Sequence, residues 1–450
     1  MLPTSALLAD AARRASAYLE TLADRPVAPS PAAVEKLADL DVPLPEGPSD
    51  PAEVLAELDR IISPTTMAMA GPRFFGFVIG GALPVTVAAG TLATAWDQNS
   101  AKWAATPGTA ALEQAALRWV LEALGLPRNV GGGFVTGATV ANFTALAASR
   151  HAVLARRGWD VEARGLFGAP PLHVVVGDEV HVSVLKALAM LGLGRDRVTR
   201  VPVDGQGRLR PEALPTLEGP TIVCLQAGNV NTGAFDPAPE VIARAHEAGA
   251  WVHVDGAFGL WAAAAPRHAY LTSGLVDADS WATDAHKWLN VPYDSGLALV
   301  RDAAALRAAM GVSAAYLPEE GTRDPADYTP ELSRRARGIE VWAALRALGR
   351  SGLADLVERC CRHARRFAEG LAAGGHRVLN EVVLNQVLVS FGGEERTRRT
   401  IAAIQGDGTC WCGGTVWQGH AAMRISVSNW ATTDEDVERS LEAILRAARA

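Results

Sequence analysis

The spacing of hydrophobic residues divides the chain into three regions. Near the N-terminus, residues 5–23 and 51–62 have apolar positions at helical spacing, and a connector with several prolines joins them. In the middle of the chain, short apolar runs alternate with helix-like segments such as Pro237–Ala248. These runs are Leu172–Val176, Arg200–Val203, Thr221–Leu225, Trp251–Val254 and Gly296–Val300. This alternation is typical of βαβ units that surround a largely parallel, buried sheet.

After about residue 305 the pattern favours long helices and a small sheet. The predicted elements are helices over Leu332–Leu348, Leu353–Ala373 and Asp434–Ala448 and strands over Val382–Phe391 and Met423–Ser428. We therefore expect a small α+β domain after the α/β domain, and 450 residues are enough for both. The predicted divisions are an N-terminal helical arm at 1–75, a large domain at 76–305 and a small C-terminal domain at 306–450.

Composition and charge exclude several classes of protein. The chain is 49% hydrophobic and 20% charged, so it has enough apolar surface to fold rather than stay disordered. Its formal net charge is −7 and it has no basic run, which argues against a nucleic acid as its partner. Five cysteines are an odd number in a long chain without the composition of a disulfide scaffold, which indicates free thiols in a reducing, cytoplasmic compartment.

One segment raises the question of a membrane. Phe74–Trp96 is a run of 23 residues without a charge, long enough to span a bilayer. Because it contains four glycines and Pro84, we expect a buried segment, part of it at a dimer interface, and no membrane association. A metal site is not expected either, since Cys410 and Cys412 are too close together for the usual zinc spacing and have no second pair beside them.

Three short segments carry the candidate chemistry. The first is GGGFVTGATVAN at Gly131–Asn142, which leads into a helix that is predicted to begin near Thr139. Backbone N–H groups at such a turn bind phosphate at a helix N-terminus, although a glycine-rich turn is more often only a turn. The second, WVHVDGAFGLW, ends an apolar strand at Asp255, which is either a simple cap or the counter-charge of a buried cation.

The third segment, DAHKW, places Lys287 among apolar neighbours, which favour imine chemistry. The alternative is a surface lysine whose stem lies along these neighbours. A phosphate-binding turn, an aspartate at a strand end and, 32 residues later, a lysine preceded by a histidine together form a binding set for pyridoxal 5′-phosphate (PLP). In that set the lysine forms the imine, the aspartate keeps the pyridine nitrogen protonated and the turn holds the phosphate.

At these residues the chain resembles the group II PLP-dependent amino acid decarboxylases, which include aromatic L-amino acid and glutamate decarboxylases. The resemblance runs from Arg73-Phe74-Phe75-Gly76 to the end of the chain, and DAHKW is its most specific part. It implies a fold type I, aminotransferase-like homodimer. The hydrophobic pattern alone indicates only an α/β domain followed by an α+β domain.

The resemblance implies a role for each matching residue. Lys287 resembles the Schiff-base lysine, Asp255 the partner of the pyridine nitrogen, and His181 the histidine that stacks on the cofactor ring. The other residues that it implies at the cofactor are Ala138, Thr139, Ala257, Asp284, His286 and Asn229. At Asn229 the chain departs from its relatives, which usually have threonine there.

The resemblance also implies residues that act on the substrate. Residues 313–334 are similar to the mobile catalytic loop of the family, in which Tyr328 matches the tyrosine that protonates the substrate carbon, with Tyr316 as its competitor. Arg424 aligns with an arginine that holds the substrate carboxylate in glutamate-type members; the alternative is a salt-bridged strand arginine. Phe75 and Gln98 are candidate contacts for an apolar and a polar substrate side chain.

The sequence thus predicts a cytoplasmic, homodimeric enzyme that removes the α-carboxylate of an aromatic or acidic L-amino acid and releases an amine and CO₂. Three alternatives retain PLP and the fold but change the outcome, namely an aldehyde synthase, an aminotransferase and a carbon–carbon lyase. A non-catalytic dimer of the same fold is a further alternative, against which the complete cofactor set argues.

Overall fold

The structure is a computed structural model that describes residues 4–312 and 322–449. Its helices are α1 Thr4–Thr21, α2 Pro31–Glu35, α3 Pro51–Ile62, α4 Pro84–Trp96, α5 Pro107–Ala123, α6 Ala138–Ala155, α7 Val161–Arg164, α8 Val182–Met190, α9 Ala238–Glu247, α10 Ala303–Met310, α11 Gly338–Ala373, α12 Glu394–Asp407 and α13 Asp434–Arg449. Its strands are β1 Gly131–Val135, β2 His173–Gly177, β3 Thr199–Val201, β4 Thr221–Gln226, β5 Trp251–Asp255, β6 Ser280–Asp284, β7 Gly296–Val300, β8 Arg377–Val378, β9 Gln386–Ser390, β10 Gly413–Trp417 and β11 His420–Ser426.

A seven-stranded sheet forms the centre of the large domain, in the order β1-β7-β6-β5-β4-β2-β3. The strands from β6 to β3 are parallel to one another, while β7 is antiparallel to both β1 and β6. Most of the strand residues are buried, as expected for a sheet covered by helices. The predicted α/β architecture is confirmed, because each of the five apolar runs in the middle of the sequence falls on one of these strands.

Strand β1 corrects the interpretation of the glycine run at residues 131–133. The run is the start of a buried strand, and not a phosphate-binding turn. Its glycines permit close packing, because a Cβ at Gly133 would lie 2.1 Å from the carbonyl oxygen of Tyr328, and one at Gly132 would lie 2.6 Å from Leu117. Glycine disfavours strands on its own, so the strand depends on tertiary contacts that the sequence pattern does not reveal.

Helix α6 positions the polar centre of the large domain. It packs on β5, β6 and β7, and its buried face includes Ala141, Ala145 and Ala148. Such small side chains let a helix approach a sheet closely. The first turn of α6 consequently lies against the carboxyl end of β6, where the N–H of Ala138 donates to Asp284.

The C-terminal region contains the predicted α+β domain, with some boundaries shifted. Helix α11 is interrupted at Gly349, whose φ of 60° and ψ of −172° are not helical, so it consists of two segments as predicted. The first segment begins at Gly338 rather than Leu332, because Arg334 lies in an irregular stretch that its side chain anchors to Glu113. The small antiparallel sheet has the order β10-β11-β9-β8, and β9 covers only part of the strand predicted over Val382–Phe391.

The N-terminal residues form the predicted helices. Helix α3 begins after Asp50, whose side chain accepts a hydrogen bond from the N–H of Ala52 and caps the helix. The charge-free segment Phe74–Trp96 is largely buried up to Leu83 and then continues as α4. Among the described helices, none combines the length and the hydropathy that a membrane crossing requires. The domain boundaries at residues 75 and 305 stay predictions.

Candidate active site

The candidate site lies where β5 and β6 end beside the first turns of α6 and α8. β5 ends at Asp255 and β6 at Asp284, so both carboxylates lie at the carboxyl edge of the sheet, where open α/β sheets bind ligands. A cleft of about 340 Å³ opens at this edge. It is lined by Thr136, Gly137, Ala138, Thr139, Val140, His181, Ser183, Ala257, Asp284, His286, Lys287 and Tyr293.

Lys287 is held in the cleft through its side chain and its backbone. Its side chain is 14% exposed, and Nζ lies 3.4 Å from Oδ2 of Asp284 and 5.8 Å from the centre of the Phe258 ring. The backbone approaches Gly80 so closely that a Cβ there would lie 1.6 Å from the Lys287 carbonyl oxygen. Only glycine permits this approach, so the segment that contains Gly80 packs directly against the backbone of Lys287.

Thr136, Gly137, Ala138 and Thr139 form the turn into α6, which we call the phosphate seat. The N-cap residue of this 18-residue helix is Gly137, which has no side chain to cap the first amides. The N–H of Ala138 donates to Oδ1 of Asp284 at 2.6 Å, which leaves the neighbouring amides for a ligand. Uncapped amides at the positive end of a helix bind anions, so the seat suits a phosphate.

Hydrogen-bond donors surround the carboxylate of Asp255. Its Oδ2 accepts from Nδ2 of Asn142 at 3.2 Å and lies 3.4 Å from Oγ of Ser183. Its Oδ1 accepts from the N–H of Ala257 at 3.3 Å. Sequence analysis does not identify Asn142 or Ser183, whose only signal is that both are polar residues in helical segments with otherwise apolar neighbours.

His181 caps helix α8, and the cap determines which ring nitrogen carries its proton. Nδ1 accepts a hydrogen bond from the N–H of Ser183 at 3.3 Å and lies 2.7 Å from Oγ of the same residue. Because Nδ1 is an acceptor, the neutral ring carries its proton on Nε2. Burial lowers the pKa of His181, which favours this neutral ring.

His286 contacts both Asp284 and an aromatic residue that sequence analysis does not identify. Its ring stacks on Tyr293 with 4.2 Å between centres, and its Nε2 lies 3.5 Å from Oδ2 of Asp284. Burial lowers the pKa of His286. Its Nδ1 is buried and has no hydrogen-bond partner among the described residues. A buried polar atom without a partner is costly, and this one lies beside the phosphate seat.

Two candidate substrate contacts lie away from the cleft. Phe75 is 1% exposed and packs edge-on against Phe367 in the core, with ring centres 5.1 Å apart. Gln98 is exposed at the end of α4, where its Nε2 donates to the carbonyl oxygen of Trp96. Within a single chain, neither position supports the predicted contact with a substrate.

Tyr328 is also placed outside the cleft. It is buried in a core cluster with Leu306, and Cζ of Arg323 lies 4.0 Å from the centre of its ring. Its position within one chain therefore does not support direct proton transfer at Lys287. Tyr316, the competing tyrosine, lies outside the described residues.

Asn229 and Arg424 lie toward the small domain. Asn229 is buried, and its Oδ1 accepts from the N–H groups of Asn231 and Thr232, so it shapes a turn rather than lining the cleft. Nη1 of Arg424 is 3.4 Å from Oδ1 of Asn231, and the guanidinium has no carboxylate within 4.0 Å among the described residues. Burial is the main cause that lowers the pKa of His181, and the charge of Arg424 is a lesser cause in the same direction.

Comparison with known proteins identifies relatives that match most of the chain. The model of the pyridoxal-dependent decarboxylase conserved domain matches residues 31–392. The L-2,4-diaminobutyrate decarboxylase of Rhizobium meliloti is 30% identical over 91% of this chain and 84% of its own length. The aromatic-L-amino-acid decarboxylase of Bacillus atrophaeus is 30% identical over 70% of this chain and 66% of its own length.

Solved structures match the fold over almost the full length. The crystal structure of Oryza sativa TDC with PLP and tryptamine has a TM-score of 0.92 at 23% identity and covers 100% of this chain and 99% of its own. Mouse CSAD has a TM-score of 0.90 at 23% identity, with 99% and 98% covered. These matches confirm the expected fold type I architecture.

Proposed function

This chain belongs to the pyridoxal-dependent decarboxylase family and is a PLP-dependent amino acid decarboxylase, and we propose that Lys287 is the residue that binds its cofactor. The observation that carries the proposal is that Lys287 lines one cleft with the phosphate seat and with Ser183 and Ala257, both of which contact the Asp255 carboxylate. PLP needs groups of these three kinds, an amine, an anion for its ring nitrogen and donors for its phosphate.

The residues of the cleft fit PLP. The uncapped amides of α6 and the hydroxyl of Thr139 hold the phosphate, with His286 as a further neighbour whose Nδ1 has no partner among the described residues. Ala257 borders the ring position, because its backbone N–H already contacts the Asp255 carboxylate. When it is bound, PLP supplies an electron sink for the bonding electrons that the departing carboxylate leaves behind.

The chain's own side chains bind, orient and transfer protons. Asp255 would hold a proton on the ring nitrogen, since its carboxylate accepts from Nδ2 of Asn142 and from the N–H of Ala257 and retains lone pairs for a further donor. His181 lines the cleft with its proton on Nε2 and would stack on the cofactor there; once its ring takes up a second proton, it could return a proton to the substrate carbon. As a further acid, Tyr328 contributes only if a second chain brings it to a cleft, and its alternative Tyr316 lies outside the described residues.

We propose an aromatic or acidic L-amino acid as the substrate. The relatives include an aromatic-L-amino-acid decarboxylase of Bacillus atrophaeus and an acidic amino acid decarboxylase of Mus musculus. On this chain, Arg424 provides a charged donor for a carboxylate of the substrate. Phe75 and Gln98 contribute only if a second chain brings them to a cleft.

We further propose a homodimer in the cytoplasm. The exposed face of α4 is apolar, with Val85, Leu92 and Trp96 at 41%, 53% and 48% exposure, and a second copy of the chain would cover it. All five cysteines are free thiols, which agrees with a reducing compartment.

Replacement of the lysine tests the proposal. We expect Lys287→Ala to abolish the visible absorbance of the lysine–PLP Schiff base and to reduce amine and CO₂ formation to background, while Lys186→Ala, at an exposed lysine of α8, retains both. The same assay, with aldehyde and peroxide measured beside CO₂ and amine, separates decarboxylation from aldehyde synthesis. A Lys287→Ala protein that kept the Schiff-base absorbance would overturn the assignment of the lysine.

A further inference from the structure

A chain of four polar side chains lies behind Asp255, on the side away from the cleft. Nε1 of Trp251 donates to Oγ of Ser280 at 2.9 Å, and the same Oγ lies 2.9 Å from Nδ1 of His253. Nε2 of His253 lies 2.8 Å from Oδ1 of Asn142, whose Nδ2 donates to Asp255. All of these residues are buried, with Ser280, His253 and Asn142 at 0% exposure, so no water competes for the contacts.

The tryptophan end of this chain of contacts determines the direction of the hydrogen bonds. An indole N–H is only a donor, so the Ser280 oxygen accepts from Trp251 and its own hydroxyl proton remains to be donated. Nδ1 of His253 is the acceptor within reach. His253 therefore carries its proton on Nε2 and donates it to Oδ1 of Asn142.

The aspartate end requires the same order. With Oδ1 of Asn142 facing His253, the amide nitrogen faces the carboxylate of Asp255. The reverse orientation would place the amide oxygen 3.2 Å from a carboxylate oxygen, two acceptors in contact, and would leave the Ser280 hydroxyl without an acceptor. Only one direction of donation gives each donor and acceptor among these four side chains a partner.

We propose that Trp251, Ser280, His253 and Asn142 form a donor-ordered relay that orients the Asp255 carboxylate toward the ring nitrogen of the cofactor. The inference rests on the proposed role of Asp255. None of the four residues lines the cleft, so they act as positioning residues through Asp255.

The neutral state of His253 supports the relay. Complete burial lowers the pKa of His253 to about 4, although the charge of Asp255 opposes this shift. The imidazole therefore remains neutral at physiological pH and has one donor nitrogen and one acceptor nitrogen, as the relay requires. A charged ring would have donors on both nitrogens and would leave the Ser280 hydroxyl proton without an acceptor among these contacts.

The first test reads the tautomer directly in cofactor-free protein. The chain has ten histidines, so ¹⁵N labelling of histidine gives a countable spectrum, and the His253→Gln variant assigns the signals of His253. We expect an unprotonated Nδ1 and a protonated Nε2 near neutral pH. A protonated Nδ1 would overturn the relay, whether or not the protein is a decarboxylase.

The second test compares two substitutions at position 253 by their PLP dissociation constants. Glutamine places an amide where Nε2 lies and can still donate to Asn142, whereas asparagine reaches only toward Ser280. We expect His253→Gln to bind PLP within about threefold of the unchanged protein and His253→Asn to bind it roughly tenfold or more weakly, because the latter leaves a buried acceptor unpaired. Equal affinities in the two variants would contradict the relay.

Asn142→Asp provides a third measurement with a matched control. This change removes the donor to Asp255 and places two carboxylates together, so we expect a loss of PLP affinity of more than tenfold. The control is Asn385→Asp at another fully buried asparagine, which donates to Val427 and Ser428 in the small domain. It is expected to lower the unfolding midpoint while PLP affinity stays within about threefold. If the unchanged protein binds no PLP, the proposed function is wrong. The tautomer of His253 in cofactor-free protein then still shows whether the hydrogen bonds of the relay have the proposed direction.

Discussion

Arg424 is the residue whose electrostatic environment points most directly to a substrate. Its guanidinium is half-buried on β11, and its one described side-chain contact is Oδ1 of Asn231 at 3.4 Å. Burial lowers the pKa of Arg424, and no described carboxylate lies near enough to offset that cost. A carboxylate of the amino acid substrate would supply the missing partner.

We predict that Arg424→Met raises KM for the amino acid by roughly 10- to 100-fold, the range expected for loss of a hydrogen bond between charged groups. The PLP dissociation constant should remain within about threefold, because Arg424 does not contact Asp255 or the phosphate seat. Steady-state kinetics with an absorbance titration of PLP measures both.

The control for this prediction is Arg359→Met. Arg359 forms an ion pair with Asp355 at 2.8 Å and donates to the backbone of Trp430, away from the cleft. We expect KM to stay unchanged in that variant. An unchanged KM in Arg424→Met as well would return Arg424 to a structural role on its strand.

At the scale of elements, one buried ion pair joins α5, the stretch before α11 and β1. Nη1 and Nη2 of Arg334 donate to the two carboxylate oxygens of Glu113 at 2.8 and 2.7 Å, and their side chains are 0% and 2% exposed. Nη2 of Arg334 also donates to the carbonyl oxygen of Phe134, and the N–H of Gly338 donates to Glu113. The pair thus determines where α11 begins.

We predict that Glu113→Gln lowers the unfolding free energy of the cofactor-free protein by about 3–5 kcal/mol, because it leaves the buried Arg334 charge without its partner. Replacing both residues, as Glu113→Leu with Arg334→Met, should recover part of the loss. Denaturant unfolding followed by circular dichroism measures the three values. The control is Glu438→Gln, in an exposed pair with Arg366, which should change the denaturant midpoint of unfolding little. A similarly small change in Glu113→Gln would show that the buried pair does not stabilise the fold.

At the scale of the whole molecule, the exposed face of α4 is the clearest surface for a second chain. The helix has no charged residue, and Val85, Leu92 and Trp96 recur at helical spacing on one side. Gln98 follows directly after this helix, so an interface formed there brings a predicted substrate contact close to the partner chain.

We predict that Leu92→Arg converts a dimer into monomers in analytical ultracentrifugation, since an arginine in the centre of an apolar interface loses its hydration without gaining a partner. Phe167→Arg, at a loop residue that is 98% exposed, should leave the dimer intact. A chain that is monomeric without any substitution would refute the homodimer.

The sequence indicates the parallel strands and the catalytic segments for the same physical reason. Apolar runs must be buried whatever surrounds them, and Asp255 and Lys287 follow such runs closely, so their chemistry is readable from local pattern. Strand β1 cannot be predicted in this way. Its glycines are needed because a Cβ would clash with the carbonyl oxygen of Tyr328 or with the side chain of Leu117. Long-range contacts of this kind have no local signature.

The sequence by itself therefore determined the α/β architecture and, through the family resemblance, the PLP chemistry, and it predicted that Lys287, Asp255 and His181 belong to one site. Only the tertiary structure placed Phe75 and Tyr328 in the core, and only it revealed the contacts of Asn142 and His253 behind Asp255. The physical reason is that chemical identity belongs to a residue, whereas the direction of a hydrogen bond and the burial of a ring depend on atoms that distant parts of the chain bring into contact.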